Sequence, residues 1–559
     1  MNSLKIVECV PNFSEGRDRA VIDAIAASIS AVAGVTLLDV DPGADTNRTV
    51  YTFIGAPEAV EIAAIAAAKV AFSLIDMSRH TGAHPRMGAL DVCPFVPVSG
   101  VTMEDCVGIS KRVGEAIARE LGVPVYLYAS AATRPDRKSL ADVREGEYEA
   151  LPDKLPRSGW EPDFGPAEFV PSWGATAVGA REFLIAYNVN LNTRDKRLAN
   201  EIALTIREGG RAAKDGAGNP LKDASGKTVK VPGLLKEVRA IGWYIDSYKC
   251  AQVSINLMNY RTTPFHFVYD TVRAEAEKLG LIVTGSEVVG LLPLEPLTEA
   301  GKHYLRMMGK SEGVSEGELV ETAIRSMGLA SVAPFEPAKK IVEYAGHPDA
   351  PLAAMKVRNF VDEVASESPA PGGGSVSALA GALGAAMAAM VANLTVGKKG
   401  YEAAWAEMSD LATKSQGIKA SLVRAVDEDT AAFNDLMEAM SLPKATEEQK
   451  RLRGEALQKG YRIAAEVPLQ TAETCLEAIR VCIGAAAKGN ANSASDVGVG
   501  ALLARAAVEG AVLNVLINLG SITDAGFVAG MKERSRKLVD EAERLKNETM
   551  DLVMETIKA

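Results

Sequence analysis

The chain has 559 residues, too many for one hydrophobic core, and its length points to roughly three or four domains. With 47% hydrophobic and 24% charged residues, it has the composition of an ordinary soluble globular protein. A net charge of −11 argues against a general nucleic-acid binder, whose surface must neutralise phosphate, but leaves room for local basic pockets.

The opening MNSLKIVECVPNF has no basic stretch followed by an apolar core and cleavage site, so it reads as mature protein without a secretory signal. Residues 4–11 read as a strand, 17–32 as a helix, and 35–41 and 47–55 as strands joined by the polar loop PGADT. A helix over 56–74, a histidine-bearing loop, and a strand over 88–98 follow. A helix near 103–121 and a strand over 123–129 come next. This is a βαββαβ order with an extra αβ.

The same order then repeats. Strand 183–192, helix 194–208, strands 235–246 and 250–260, helix 265–279 and strand 281–292 make a second βαββαβ unit. The repetition is one of elements, not of residues. It predicts a two-lobed α+β domain with a site between the lobes. Within the second unit, GGRAAKDGAGNPLKDASGKTVKVPG (209–233) reads as a polar surface excursion.

After about residue 337 the texture changes. Ala, Leu and charged residues recur at helical spacing and no run alternates as a strand, which predicts an all-α bundle. The expected organisation is therefore a first lobe over 1–180, a second over 181–337, a linker over 338–351 and a helical bundle over 352–559. Between Glu367 and Lys398 there is no charge, a stretch long enough to span a bilayer. Its body is mostly Ala and Gly, which insert poorly but let helices approach closely, so a buried bundle helix is expected and no membrane association.

The chemistry-bearing residues are sparse. Two of the five histidines, His80 and His84, lie in SRHTGAHPRMGALDVCPFVP (78–97). Gly82 and Pro85 rule against a helical His-x3-His metal pair, and no metal is expected. Pro85 biases His84 to an extended backbone, and its imidazole suits either general-base work or a structural hydrogen bond. Arg86 could grip a carboxylate or form a surface ion pair. Asp45, Asn47 and Arg48 flank a strand end, where they either face a ligand or make turn hydrogen bonds. DFGPAEFVPSWGAT (163–176) reads as an ordered loop whose aromatics either stack on a planar heterocycle or pack the lobe. Six cysteines form no CxxC pair, which fits a reduced, cytoplasmic setting.

In the bundle, Gly372, Gly373, Gly374 and Ser375 lead into a helix. They offer either close backbone approach and free N–H groups to a substrate, or a plain N-cap by Ser375. On the helix KASLVRAVDEDTAAFNDLMEAM (419–440), the apolar stripe Leu422, Val426, Phe433, Leu436 leaves one gap, and Asp429 fills it. An inward carboxylate is either a proton shuttle or a structural partner. Asn514 and Asn518 share a helix face as pocket amides or bundle-spanning hydrogen bonds.

Several long motifs in series carry a resemblance over essentially the whole chain. VECVPNFSEG (7–16), LLDVD followed by TNRTVYTF (37–53), GAHPRMGALDVCPF (82–95), FVPSWGA (169–175) and GSEVVGLLP (285–293) resemble the formimidoyltransferase part of the formimidoyltransferase-cyclodeaminase family. SPAPGGGSV (368–376), VDEDTAAF (426–433) and NVLINL (514–519) are similar to its cyclodeaminase part. The resemblance implies a bifunctional folate enzyme of histidine degradation and one-carbon metabolism. It would move the formimidoyl group from N-formimidoyl-L-glutamate to N5 of tetrahydrofolate. It would then cyclise 5-formimidoyltetrahydrofolate to 5,10-methenyltetrahydrofolate and release ammonia. By the same resemblance His84 is the transferase base and Asp429 the cyclodeaminase acid-base. The folate segment is Gly165, Pro166, Ala167, Glu168, Phe169, Val170, Pro171, Ser172, Trp173 and Gly174. Tetrahydrofolate, free or polyglutamylated, is the co-substrate, and a homo-oligomer is implied. Two departures stand out: a long 209–233 excursion, and Ala494 where family members can carry an arginine. Lys398 and Lys399 either bind a polyglutamate tail or complement a helix dipole. Two alternatives remain open. In one, the bundle only binds folate and organises the oligomer. In the other, the donor is different, such as formimidoylglycine.

Overall fold

The computed structural model describes residues 5–44, 46–82, 85–216, 218–223, 226, 228–246, 248–346 and 351–558. The chain divides into two compact units: Met1–Leu297 with Ile324–His347, and Thr298–Ala323 with Pro348–Ala559.

The first unit begins with β1 (Ile6–Cys9), β2 (Asn12–Phe13), α1 (Arg19–Ser30), β3 (Val35–Gly43), β4 (Arg48–Gly55) and α2 (Pro57–Leu74). It continues with β5 (Leu90–Ser99), α3 (Met103–Leu121), β6 (Val125–Ala129) and β7 (Thr176–Ala180). Seven strands form one mixed sheet. β1 and β2 lie end to end between β4 and β5, with β3 on the outer side of β4. These pairings are antiparallel, whereas β5, β7 and β6 run parallel. The period-2 alternation of β1 sends Val7 and Cys9 into the core with Ile22, Ile25 and Ile29 of α1 and Ala63, Ala67 and Ala71 of α2. It sends Glu8 to the opposite face. α3 starts at a capping box, Thr102 with Asp105, and stops at Gly122, whose φ of 68° ends the helix in the left-handed region.

β7 is an addition to the sequence reading, whose loop ended at residue 176 and which left 177–180 unassigned. TAVGA is short, small and buried on both faces, so it carries no alternation. It inserts between β5 and β6 and supplies the parallel pairing that β6 needs.

The second lobe follows the predicted order: β8 (Ile185–Leu191), α4 (Lys196–Ile206), β9 (Arg211–Ala212), β10 (Lys230–Val231), β11 (Val238–Ile245), β12 (Cys250–Leu257), α5 (Phe265–Lys278) and β13 (Val283–Val289). β11, β12, β8 and β13 make a four-stranded antiparallel sheet. β9 and β10 pair only with each other, at the base of the 209–233 excursion. Two helices then follow that the sequence reading passed over, α6 (Leu294–Met307) and α7 (Glu316–Met327).

The second unit is helical throughout its described residues: α8 (Val357–Val364), α9 (Gly373–Thr395), α10 (Trp405–Ser441), α11 (Glu447–Lys488), α12 (Ala494–Leu519) and α13 (Ala525–Lys558). The uncharged α9 packs against α10, α11 and α12. A methyl group at Gly381 would collide with Cys475, and one at Gly384 would crowd Ala504, so the Ala/Gly composition permits this close helix approach. By length and composition α9, and α12 with the turn before it, would also suit a membrane span. Residues 298–323 belong to this unit. The Gly313 carbonyl accepts from Asn393 Nδ2 at 2.9 Å and Gln416 Nε2 at 3.1 Å, and Glu312 N donates to Ser409 Oγ at 3.2 Å.

Candidate active sites

In the first lobe, a cavity of about 510 Å³ is lined by His80, Thr81, Gly82, Arg86, Gly146, Glu147 and Glu149. It lies wholly on first-lobe residues. His84 lies outside the described residues, as does Asp45; in sequence His84 falls between two of these lining residues, Gly82 and Arg86.

Arg86 is 9% exposed and grips a carboxylate of its own chain. Its two terminal nitrogens donate to Glu149 at 2.9 and 2.7 Å, and one of them reaches Glu147 at 3.4 Å. This fork-to-carboxylate pairing holds the guanidinium's charge in place, since Glu149 raises its pKa further. The Arg86 Nε–H donates to His80 Nδ1 at 3.3 Å. His80 Nε2 lies 2.8 Å from the Asn47 carbonyl, which can only accept, so Nε2 carries the imidazole proton. Burial holds the His80 pKa below its ordinary range, so the ring is neutral.

Asn47 and Arg48 are not among the lining residues, but Asn47 bonds two of them, His80 and Thr81. Asn47 adopts φ of 47°, with its Oδ1 accepting from Gly16 N at 3.0 Å and its Nδ2 donating to Thr81 O at 3.0 Å. Arg48 is buried, donating to Asn12 Oδ1 at 3.0 Å and to the fully buried Asp91. Asp91 also accepts from Arg144 at 2.5 and 3.2 Å and from Met87 N at 2.9 Å. This carboxylate therefore ties β4, β5 and the 140–155 segment together. The sequence reading missed Asp91, Arg144, Glu147 and Glu149. The available signal was a lone charge inside the apolar strand LDVCPF, and the acidic run in REGEYE.

The 165–174 segment contacts Tyr148, which lies in sequence between the cavity residues Glu147 and Glu149. The Tyr148 hydroxyl donates to Pro171 O at 2.5 Å, its ring centre is 5.3 Å from that of Phe169, and Arg86 lies 5.7 Å above it. The two ends of the segment are glycines at φ of 84° and 82°, where a side chain would collide with the carbonyls of Val123 and Met87. Trp173 settles one alternative for itself: it is fully buried, bonds Thr176 Oγ1 at 3.0 Å and packs on Phe72. It is a core residue. Ala167, Glu168, Pro171 and Ser172 are exposed.

In the bundle, Asp429 of α10 meets the start of α9. Its carboxylate accepts from Ser375 N at 3.0 Å and Ser375 Oγ at 3.3 Å. Ser375 Oγ also donates to Val426 O at 2.7 Å. No side chain of α9's own first residues caps it, so a carboxylate from the neighbouring helix accepts one of the orphan N–H groups. Gly374 faces Asp429 so closely that any side chain would strike the carboxylate. Burial pushes the Asp429 pKa up, and the two Ser375 hydrogen bonds oppose this in part. Asn514 of α12 stands beside Gly373, 2.9 Å from where a methyl group would be. Asn518 instead donates to Ala464 O at 2.8 Å and serves as a bundle-spanning bond. Asp427 points elsewhere, accepting from Leu352 N and Ala353 N. At the far end of α9, Lys398 donates to Asn490 Oδ1 at 2.5 Å. Among the described residues no three His, Cys, Asp or Glu side chains converge as a metal set.

Comparison with known proteins matches the chain in three consecutive stretches. Residues 6–181 match the formiminotransferase domain, N-terminal subdomain, 186–346 the formiminotransferase domain, and 356–537 the formiminotransferase-cyclodeaminase model. A pig formimidoyltransferase-cyclodeaminase is 47% identical over 549 residues, covering 96% of this chain and 97% of its own. A glutamate formimidoyltransferase of Streptococcus pyogenes is 43% identical over 303 residues, covering 54% of this chain and 94% of its own. A methenyltetrahydrofolate cyclohydrolase of Methylorubrum extorquens is 37% identical over 203 residues, covering 36% of this chain and 96% of its own. With both lobes and the bundle matched in order along nearly the full length of the pig relative, the chain belongs to the formimidoyltransferase-cyclodeaminase family of bifunctional folate enzymes.

Proposed function

We propose that the first unit transfers the formimidoyl group of N-formimidoyl-L-glutamate to N5 of tetrahydrofolate, and that the bundle closes the product to 5,10-methenyltetrahydrofolate. In transfer, the N5 amine attacks the formimidoyl carbon and His84 takes the N5 proton. The tetrahedral centre collapses, the bond to the glutamate nitrogen breaks, and that nitrogen leaves with a proton. In cyclisation, N10 attacks the formimidoyl carbon. Asp429 takes the N10 proton and returns it to the departing amine, which leaves as ammonia. Neither step changes an oxidation state or needs a metal. The 165–174 segment, in contact with Tyr148, carries the folate.

One observation supports this reading above the others. Asp429 and Ser375 are 54 residues apart in sequence, yet the carboxylate of one accepts two hydrogen bonds from the other at the glycine-rich start of α9. A pKa raised by burial suits a group that must take up and release a proton.

A donor panel with purified protein and tetrahydrofolate tests the transfer step. Formimidoylglutamate is expected to exceed formimidoylglycine by at least ~100-fold in kcat/KM, because the side-chain carboxylate leaves its partners unpaired when absent. Equal rates would remove glutamate as the donor. Ammonia and methenyl absorbance, followed with supplied 5-formimidoyltetrahydrofolate, test the second step. A rate no faster than the uncatalysed one would reduce the bundle to a folate-binding and oligomerisation module.

The protein works as a homo-oligomer in a reducing, cytoplasmic setting. Six unbonded cysteines, including Cys9 and Cys93 with sulfurs 3.6 Å apart, support the compartment. The apolar residues Val499, Leu502, Leu513 (67% exposed), Leu516 and Ile517 (77% exposed) along α12 support the assembly, because they leave a helix of the core presenting apolar side chains outward. Leu513→Glu with Ile517→Glu is expected to lower the mass measured by light scattering to that of a smaller species. An unchanged mass removes this face from the interface.

A further inference from the structure

We propose that Ser375 is a positioning residue of the cyclisation: it commits one oxygen of the Asp429 carboxylate as a fixed acceptor and leaves the other to exchange protons with the substrate. The inference rests on Asp429 as the acid-base of that reaction. Ser375 is fully buried and does not cap its own helix, whose N-cap is Gly372. As the third residue of α9, it has a backbone N–H with no partner inside the helix, and that N–H donates to Asp429 Oδ2 at 3.0 Å. Its hydroxyl lies 3.3 Å from the same oxygen. Both donors therefore converge on Oδ2. Among the described residues no donor reaches Oδ1. Oδ1 is instead the atom closest to where a side chain on Gly374 would stand. An oxygen already accepting from two donors is a poor seat for a proton, so the proton taken from N10 goes to Oδ1.

The hydroxyl also follows the proton. It has one hydrogen and two acceptors in reach, Val426 O at 2.7 Å and Asp429 Oδ2. Against an ionised carboxylate the bond to Oδ2 is charge-assisted and the stronger. Once Oδ1 holds a proton that charge is gone, and the hydroxyl turns to Val426 O. Oδ2 keeps the Ser375 N–H in both states, so the carboxyl does not swing between taking the proton and returning it. Donation to the ionised form also opposes burial, which is the larger influence on Asp429 and pushes its pKa up. Burial and Ser375 are the influences at work, with no ionised side chain among them. α9 carries no charge from Gly373 to Thr395, and Asp427 of α10 is turned to Leu352 N and Ala353 N. Glu428 of α10, Glu367 before α9 and Glu466 of the packed α11 are exposed.

The test uses the full-length enzyme and supplied 5-formimidoyltetrahydrofolate. Ser375→Ala keeps the N–H on Oδ2 and removes only the hydroxyl. It is expected to lower the cyclisation kcat ~10-fold with KM within about twofold. It is also expected to move the acid limb of the pH profile up by about one unit, because the ionised carboxylate loses a donor. The position of that limb does not depend on how much of the enzyme folds, so it is read even from a variant of reduced yield. Added to Asp429→Asn, Ser375→Ala is expected to cost less than about a further twofold, because it acts through the carboxyl. An acid limb that stays at the parent's position, or a full ~10-fold further loss in the double variant, overturns the positioning role. Asp429→Asn separates this from the underlying reading. Cyclisation retained within about tenfold in Asp429→Asn removes the acid-base, whereas an inactive Asp429→Asn beside a Ser375→Ala with the parent's kcat and pH profile removes Ser375 alone.

Discussion

Asp429→Asn is expected to lower cyclisation ~10²- to 10⁴-fold while transfer continues at the parental rate, and His84→Ala to do the reverse. The Asn side chain keeps an acceptor for Ser375 N and nearly the same volume, so α9 remains capped and the bundle folds. What is lost is the proton. A carboxyl whose pKa is raised by burial can take a proton from N10 and return it to the leaving amine, and an amide can do neither. Gly374→Ala should produce the same phenotype by another route, since its methyl would collide with the Asp429 carboxylate and force α9 and α10 apart at this point. Assays of both activities on each variant check this. If Asp429→Asn retains cyclisation within about tenfold, the carboxylate serves only as a helix cap. If either substitution silences both reactions in a folded chain, the two sites are not separate.

Asp429 also shows what was legible in the sequence. Its position in a gap of an apolar stripe was enough to place it inward, because helix periodicity is a local property. The identity of its partner was not readable, since Ser375 arrives from a helix 54 residues away and only packing brings it there. The lobes repeat this division. Period-2 runs gave most strands, but TAVGA had no alternation to read, and the parallel insertion of β7 depends on neighbours far along the chain. The cavity was the least legible part. His80 drew attention as one of few histidines, yet its role is set by Asn47, Arg86 and Glu149, from three separate stretches. The aromatics of 163–176 could be read either way: Trp173 is buried in the core, and Phe169, half-buried, packs with Tyr148 against a second apolar cluster.

Glu8→Gln is expected to stabilise the first unit at neutral pH. Glu8 lies on β1, between β4 and β5, and is 2% exposed. Burial pushes its pKa from an ordinary 4.5 up to about 8; Arg181 pulls the other way without offsetting it, and Glu343 adds to the rise. A group with a folded pKa above its unfolded one favours folding most below the unfolded value. That contribution falls as pH climbs from 4.5 to about 8 and is constant above. At pH 7 the folded chain must hold a proton that the unfolded chain has released. At about 1.4 kcal/mol per pH unit, that makes the cost roughly 3 kcal/mol. Glutamine is neutral in both states and carries none of it. The melting temperature of the variant should therefore exceed the parent's by about 5 °C or more at pH 7. The gap should close on acidification toward pH 4.5 and stop growing above about pH 8. A gap that does not change with pH would mean the glutamine acts through packing, and a destabilised variant at pH 7 would mean that Glu8 is ionised in the folded protein and paired with Arg181.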